Sequence, residues 1–274
     1  MNVSKINQLL NIAVHAALNA GESILSIYQS DDFDVSIKSD KSPLTKADKA
    51  AHNEIVKLLE KTGLPILSEE GKSIPYKDRK DWTLFWLIDP LDGTKEFINK
   101  NGEFTVNIAL IENNCPIGGI VYAPVLKDLY ISENHQGAYK VKEIDKASFE
   151  KNGVCGFIMK SHKLPLIQAS RKFTVVASRS HMTPATEDFI SKIQKEHGEI
   201  EIVSKGSSLK ICMVAEGIAD VYPRFAPTME WDTAAGNAIA IGAGCEIIKT
   251  EQTTPLQYNK EDLLNPWFIV NRKN

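Results

Sequence analysis

Apolar residues recur at helical spacing through the first thirty positions. Ile6, Leu9 and Leu10, Ala13, Ala16 and Ala17, Ala20, Ile24 and Ile27 fall on one face, while Asn7, Gln8, Asn11, His15, Asn19 and Glu22 interrupt the run. The pattern predicts an amphipathic core helix over residues 6–28 with Ser4 as its N-cap, not a signal segment or a membrane span. A second amphipathic helix is predicted from near Pro43 to Lys61, ended by Gly63. The period then shortens. Pro65-Ile66-Leu67 leads into Ser68-Glu69-Glu70, and residues 84–88 lead into Asp89. Residues 105–110 alternate before the turn pair Asn113-Asn114, and residues 117–122, 129–132 and 138–141 continue as strands of one meander.

Residues 144–172 carry the weakest pattern and read as the junction between two halves, 1–150 and 151–274. Helix and strand signals alternate afterwards: strands at 173–177, 200–203, 219–222 and 246–248, helices at 184–196, 209–216 and 231–242. This order predicts a mixed α/β (α+β) architecture of stacked helix and sheet layers, with one cleft between the halves.

Composition changes this picture little. A chain of 274 residues with 43% hydrophobic and 24% charged residues can bury a core without covalent staples. A net charge of −3, with no basic run, argues against a nucleic-acid polymer as partner. Cys115, Cys155, Cys212 and Cys245 form no C-x-x-C pair and read as small buried hydrophobes in a reducing compartment. Trp82, Trp86 and Trp267 read as packing aromatics. No segment approaches the roughly 20 uninterrupted apolar residues of a membrane span, so the expectation is a cytoplasmic protein.

The chemistry concentrates in acidic residues at element ends. An apolar strand runs through Trp86-Leu87-Ile88 into Asp89-Pro90-Leu91-Asp92-Gly93-Thr94. Pro90 fixes φ, so the chain turns and Asp89 and Asp92 can face one point with the Leu91 carbonyl between them. Such oxygen ligands suit Mg²⁺. Gly93 permits close backbone approach, and residues 94–98 could open a short helix whose N–H groups receive phosphate oxygens. Glu69-Glu70 ends a strand and Glu230-Trp231-Asp232 starts a helix. Alone, Asp232 reads as a cap and Glu69 as solvated surface.

Together, Ser68-Glu69-Glu70, Asp89-Pro90-Leu91-Asp92-Gly93-Thr94 and Trp231-Asp232-Thr233-Ala234-Ala235-Gly236 resemble the motifs of the lithium-sensitive inositol monophosphatase superfamily, in the same order. Pro43-Leu44-Thr45-Lys46-Ala47-Asp48 matches a fourth element, and the resemblance covers nearly the whole chain. It implies the five-layered αβαβα sugar-phosphatase sandwich, with the active site between two halves. It also implies that Glu69, Asp89 and the Leu91 carbonyl hold one Mg²⁺, that Asp89, Asp92 and Asp232 hold a second, and that Glu69 helps to hold a third through water. Catalysis would then be hydrolysis by a metal-activated water, which Thr94 and Glu69 orient and deprotonate while Asp48 accepts a hydrogen bond from the Thr94 hydroxyl.

Within the superfamily, Asp89 to Ile98 and Asn101-Gly102-Glu103-Phe104-Thr105-Val106-Asn107 are similar to the 3′(2′),5′-bisphosphate nucleotidases, most closely the bacterial CysQ type. By that resemblance the substrate is 3′-phosphoadenosine 5′-phosphate, hydrolysed to AMP and phosphate. Glu69, Leu91, Asp92, Gly93, Thr94 and Asp232 would meet the scissile phosphate, and His181, Ser207, Lys210 and Arg224 the nucleoside and the 5′-phosphate. His181, Lys210 and Arg224 also have plainer readings, as a loop histidine, a helix surface charge and a structural ion-pair partner. An inositol or sugar phosphatase of the same superfamily, and a metal- and nucleotide-binding sensor without turnover, are the alternatives. The resemblance further implies a monomer, lithium sensitivity and a place in sulfur metabolism, and leaves open a loose association with the inner membrane face.

Overall fold

The computed structural model describes residues 3–30, 33–37, 43–133, 136–158, 161–166, 171–177 and 182–272, with the backbone alone at 37 and 157. The first apolar stripe forms α1 (Val3–Ser30), so Ser4 lies inside the helix and does not cap it. Two short strands, β1 (Ser36–Ile37) and β2 (Pro43–Leu44), pair before α2 (Lys46–Leu59). The second helix therefore starts three residues later than Pro43. Thr45 decides this: its hydroxyl accepts from the Ala47 N–H, and the Asp48 carboxylate accepts from the Thr45 N–H at 2.7 Å. A single 3₁₀ turn over residues 60–62 then ends on Gly63 in the left-handed region.

One sheet has seven strands in chain order: β3 (Ile66–Ser68), β4 (Leu84–Asp92), β5 (Thr105–Glu112), β6 (Cys115–Ala123), β7 (Asp128–Glu133), β8 (Gly137–Val141) and β9 (His162–Lys163). Only β3 and β4 run parallel. Asn113 and Asn114, both with positive φ, make the tight β5–β6 turn. The short helices α3 (Tyr76–Arg79) and α4 (Thr94–Ile98) flank β4. The weakly patterned stretch, where the pattern predicts only a junction, contains α5 (Lys146–Ile158), interrupted by non-helical backbone at Gly153.

The second sheet has five strands in the order β11 (Ile200–Ser204), β10 (Phe173–Ala177), β12 (Val221–Arg224), β14 (Phe268–Arg272) and β13 (Cys245–Lys249). Its helices are α6 (Pro184–His197), α7 (Leu209–Glu216) and α8 (Glu230–Gly242). Strand β14 had no forecast, because its short apolar run follows a long irregular stretch.

The layers follow from what packs on what. Helices α1 and α2 cover one face of the seven-stranded sheet, and α8 lies across the other. Helix α8 also meets β13, α7 meets β10, β12 and β14, and α6 closes the far face of the five-stranded sheet. Helix, sheet, helix, sheet and helix thus stack in five layers. Three apolar clusters fill the gaps, with Trp86, Leu91 and Phe97 in the outermost and Leu209, Ile239 and Phe268 in the central one. The alanine-rich face of α8 reflects its central place: a Cβ on Gly119 of β6 would lie 2.5 Å from the Ala235 carbonyl, so only small residues allow this approach. The forecast of four buried cysteines fails for Cys115 and Cys155, which are exposed, and holds for Cys212 and Cys245. Trp86 is fully buried, and Trp267, though 50% exposed, packs its ring 5.6 Å from that of Phe225.

Candidate active site

The acidic cluster begins with a backbone irregularity. Along β4, Asp89 pairs with Asn107 and Asp92 with Thr105, so three steps on one strand oppose two on its neighbour. In a regular strand, side chains three residues apart point to opposite faces. The extra residue at Pro90-Leu91 brings Asp89 and Asp92 to the same side, and Pro90 costs no ladder bond there. The Leu91 side chain turns into the core, while its N–H donates to Asp89 Oδ1 at 3.1 Å. Its carbonyl lies 3.5 Å from the Thr94 hydroxyl. Gly93 follows at φ 93, where an added Cβ would lie 3.3 Å from the Ser207 Cβ. Both conformation and space require glycine there.

Two further elements complete the cluster. Glu69 follows β3 and donates its N–H to the Ile88 carbonyl, which ties it to the parallel strand that carries Asp89. Asp232 sits in the first turn of α8, where its Oδ2 accepts from the Met229 N–H at 2.9 Å. It is a cap and a member of the cluster at once. Glu69, Asp89 and Asp232 each bring a carboxylate oxygen within 4.8 Å of the others. Burial, and then the charges of Glu69, Asp92 and Asp232, push the buried Asp89 carboxyl well above its ordinary range, and a hydrogen bond that protonated Asp89 donates to the Glu69 carboxylate adds to this. Burial and the charges of Asp92 and Glu69 do the same to Asp232. The donor set is all hard oxygen, and its charges repel one another, so it fits a hard divalent cation that would replace the shared protons.

Asp92 stands outside that tight triad, held instead by Ser208 and Asn107. Asp48 is buried, and its Oδ1 accepts from the Thr94 hydroxyl at 3.3 Å. Its other oxygen is taken by the Thr45 N–H and hydroxyl.

Beside the carboxylates lies a cavity of about 210 Å³ lined by Asp92, Gly93, Thr94, Ser207, Lys210, Arg224 and Asp232, among others. The Ser207 hydroxyl and the Arg224 Nε are buried there without a hydrogen-bond partner, an expensive state for donors that nothing satisfies. Arg224 donates through its terminal nitrogen to the Pro227 carbonyl at 2.8 Å. Lys210 donates to the Lys205 carbonyl at 3.4 Å and sits over the Tyr222 ring, and burial lowers its pKa to about 8. Three donors, two of them cationic, thus face a space able to take an anion. His181, with Ser178-Arg179-Ser180, lies outside the described residues.

Three contributors were not anticipated. Asn107 and Ser208 join Asp92, and Glu103 accepts from the Gly206 N–H at 2.9 Å, fixing the turn that carries Ser207. A polar amide in the apolar run 105–110 was the available signal for Asn107.

A five-layered sandwich whose strand ends and central helix converge carboxylates beside an anion-accepting pocket is the architecture of a sugar-phosphatase class of enzyme. The chain belongs to the inositol monophosphatase family, whose model matches residues 5–272. Its particular relatives are the CysQ proteins. It is 43% identical over 265 residues to the 3′(2′),5′-bisphosphate nucleotidase CysQ of Salmonella typhimurium, covering 96% of this chain and 99% of the relative. The Escherichia coli K12 counterpart is 42% identical over 266 residues, with the same coverage. The crystal structure of CysQ from Bacteroides thetaiotaomicron, a bacterial member of the inositol monophosphatase family, is 54% identical and superposes with a TM-score of 0.88 over 96% of each chain. An inositol monophosphatase from Anabaena shares the fold at 22% identity, with a TM-score of 0.70 over 97% of this chain and 91% of that one.

Proposed function

We propose that this phosphatase is a Mg²⁺-dependent 3′(2′),5′-bisphosphate nucleotidase that hydrolyses 3′-phosphoadenosine 5′-phosphate to AMP and phosphate. The observation that carries the reading is the adjacency of two unlike sites. A cluster of carboxylates suited to cations adjoins a pocket whose buried Ser207, Lys210 and Arg224 donors await an anion. A substrate with two phosphates on one ribose uses both. That the CysQ relatives are 3′(2′),5′-bisphosphate nucleotidases supports this choice.

Glu69, Asp89, Asp92, Asp232 and the Leu91 carbonyl would hold the cations, two of them and a third through Glu69. When bound, Mg²⁺ would neutralise charge on the transferring phosphoryl group and acidify the attacking water. The chain's own residues do the positioning. Asp48, anchored by Thr45, orients the Thr94 hydroxyl, so that its lone pair would hold the water while the Glu69 carboxylate takes the water's proton. The water oxygen would join phosphorus as the bond to the ribose 3′-oxygen breaks, and the released alkoxide would take a proton from solvent water. Gly93 leaves room for the phosphate, Lys210 and Arg224 retain the 5′-phosphate, and His181 would face the nucleoside. The same reading has a monomer of two halves, 1–150 and 151–274, acting in the cytoplasm. Among the described residues, no helix is long and apolar enough to cross a membrane.

Phosphate release in Mg²⁺ from 3′-phosphoadenosine 5′-phosphate, AMP, inositol 1-phosphate and fructose 1,6-bisphosphate tests the reading. Strong preference for the first, with AMP left intact, is expected. Preference for inositol phosphate or the hexose would discard the nucleotide pocket, and tight binding without release would make the protein a sensor.

A further inference from the structure

Asp92 is held by side chains to which the catalytic reading gives no part. Its Oδ2 accepts from the Ser208 N–H at 2.6 Å and lies 2.9 Å from the Ser208 hydroxyl and 3.3 Å from Asn107 Nδ2. The Ser208 hydroxyl has one proton and two acceptors, Asp92 Oδ2 and, at 2.7 Å, the backbone carbonyl of Asp232. Its own lone pair accepts from Asn107 Nδ2 at 2.9 Å. Asn107 Oδ1 in turn accepts from the Thr105 hydroxyl at 3.0 Å. The Asp92 carboxylate fixes the amide, since turning it over would set an oxygen against an acceptor, and with the amide so placed the Thr105 hydroxyl is the donor to Oδ1. Thr105, Asn107 and Ser208 are each at most 3% exposed.

The relay is a product of the strand irregularity. Thr105 and Asn107, two residues apart on β5, share a face and stand opposite Asp92 and Asp89. Ser208 comes from the residue before α7, and the Asp232 carbonyl from α8. The hydrogen bonds therefore run from the seven-stranded sheet to the helices between the sheets. With Ser208 and Asn107 donors converging on Oδ2, a cation at Asp92 is left the other oxygen.

We propose that Thr105, Asn107 and Ser208 are positioning residues that orient Asp92 for single-oxygen binding of a cation and set its spacing to Asp232. The proposal rests on the metal reading given above. Mg²⁺ titration by calorimetry on the wild-type chain, D92N, T105V, T105S and S208A, each checked for folding by circular dichroism, tests it. T105V and S208A are expected to weaken Mg²⁺ binding about 10-fold or more, as loss of a metal ligand's supporting hydrogen bonds does, and T105S to stay within about twofold of wild type. Should T105V fail to fold, S208A, which keeps its N–H, decides. Wild-type affinity in both T105V and S208A, with D92N weakened, would overturn the relay and leave the metal reading standing. Unchanged affinity in D92N, or no Mg²⁺ binding by the wild-type chain, would overturn both.

Discussion

In the first turn of α8 the Asp232 carboxylate uses one oxygen to accept the Met229 N–H while another of its contacts is the cluster with Glu69 and Asp89. The two roles separate under mutation. Asparagine keeps a capping acceptor, so D232N is expected to hold its melting temperature within a few degrees. It also removes a negative charge from the proposed cation site, and turnover is expected to fall at least about 100-fold. Near-normal turnover at saturating Mg²⁺ would remove Asp232 from the metal set. The cap bond and a place in the acidic cluster are compatible because a carboxylate has two oxygens.

The same economy operates at the level of elements. Helix α2 starts at Lys46, not at Pro43, because Thr45 and Asp48 close a capping box, and that box holds the carboxylate that meets Thr94. T45A is expected to cost about 1 kcal/mol of stability, the usual worth of such a cap. It should also lower kcat more than KM, since Asp48 loses a hydroxyl donor while the substrate pocket is untouched. T45S should restore both. Denaturant unfolding and steady-state kinetics on the pair check this, and a stability loss with unchanged kcat would mean that the cap has no share in catalysis. Elsewhere, element types were legible and their limits were not. Strand β4 runs on through Asp92 since its bulge still pairs with β5, and α5 went unseen for want of an apolar stripe.

For the whole molecule, the cluster joins β3 and β4 of one sheet to α8, which packs on both sheets. Folding brings these charges together, so its stability depends on what neutralises them. The Asp89 and Asp232 carboxyls titrate well above the ordinary 3.8. A carboxyl raised in the folded state contributes stability that is complete below its unfolded pKa and is lost as pH rises through the raised value. The melting temperature of EDTA-treated protein is therefore expected to fall as pH rises from the ordinary carboxylate range through the raised values, and Mg²⁺ to restore it with release of protons. Identical melting profiles with and without Mg²⁺, by calorimetry across that range, would count against a cation in the cluster.

The sequence by itself determined the periodicities, hence most helices and strands, and the residue types of the site. Asp89-Pro90-Leu91-Asp92-Gly93-Thr94 could be read directly because proline and glycine act locally, on φ and on close approach. Tertiary structure decided what depends on neighbours distant in the chain. It separated Asp92 from the Glu69, Asp89 and Asp232 triad, left the Ser207 and Arg224 donors without partners, and joined Thr105 and Asn107 to Ser208. Hydrogen bonds across about 100 residues leave no period in the sequence, since each partner alone is an ordinary polar residue whose meaning lies in what it faces.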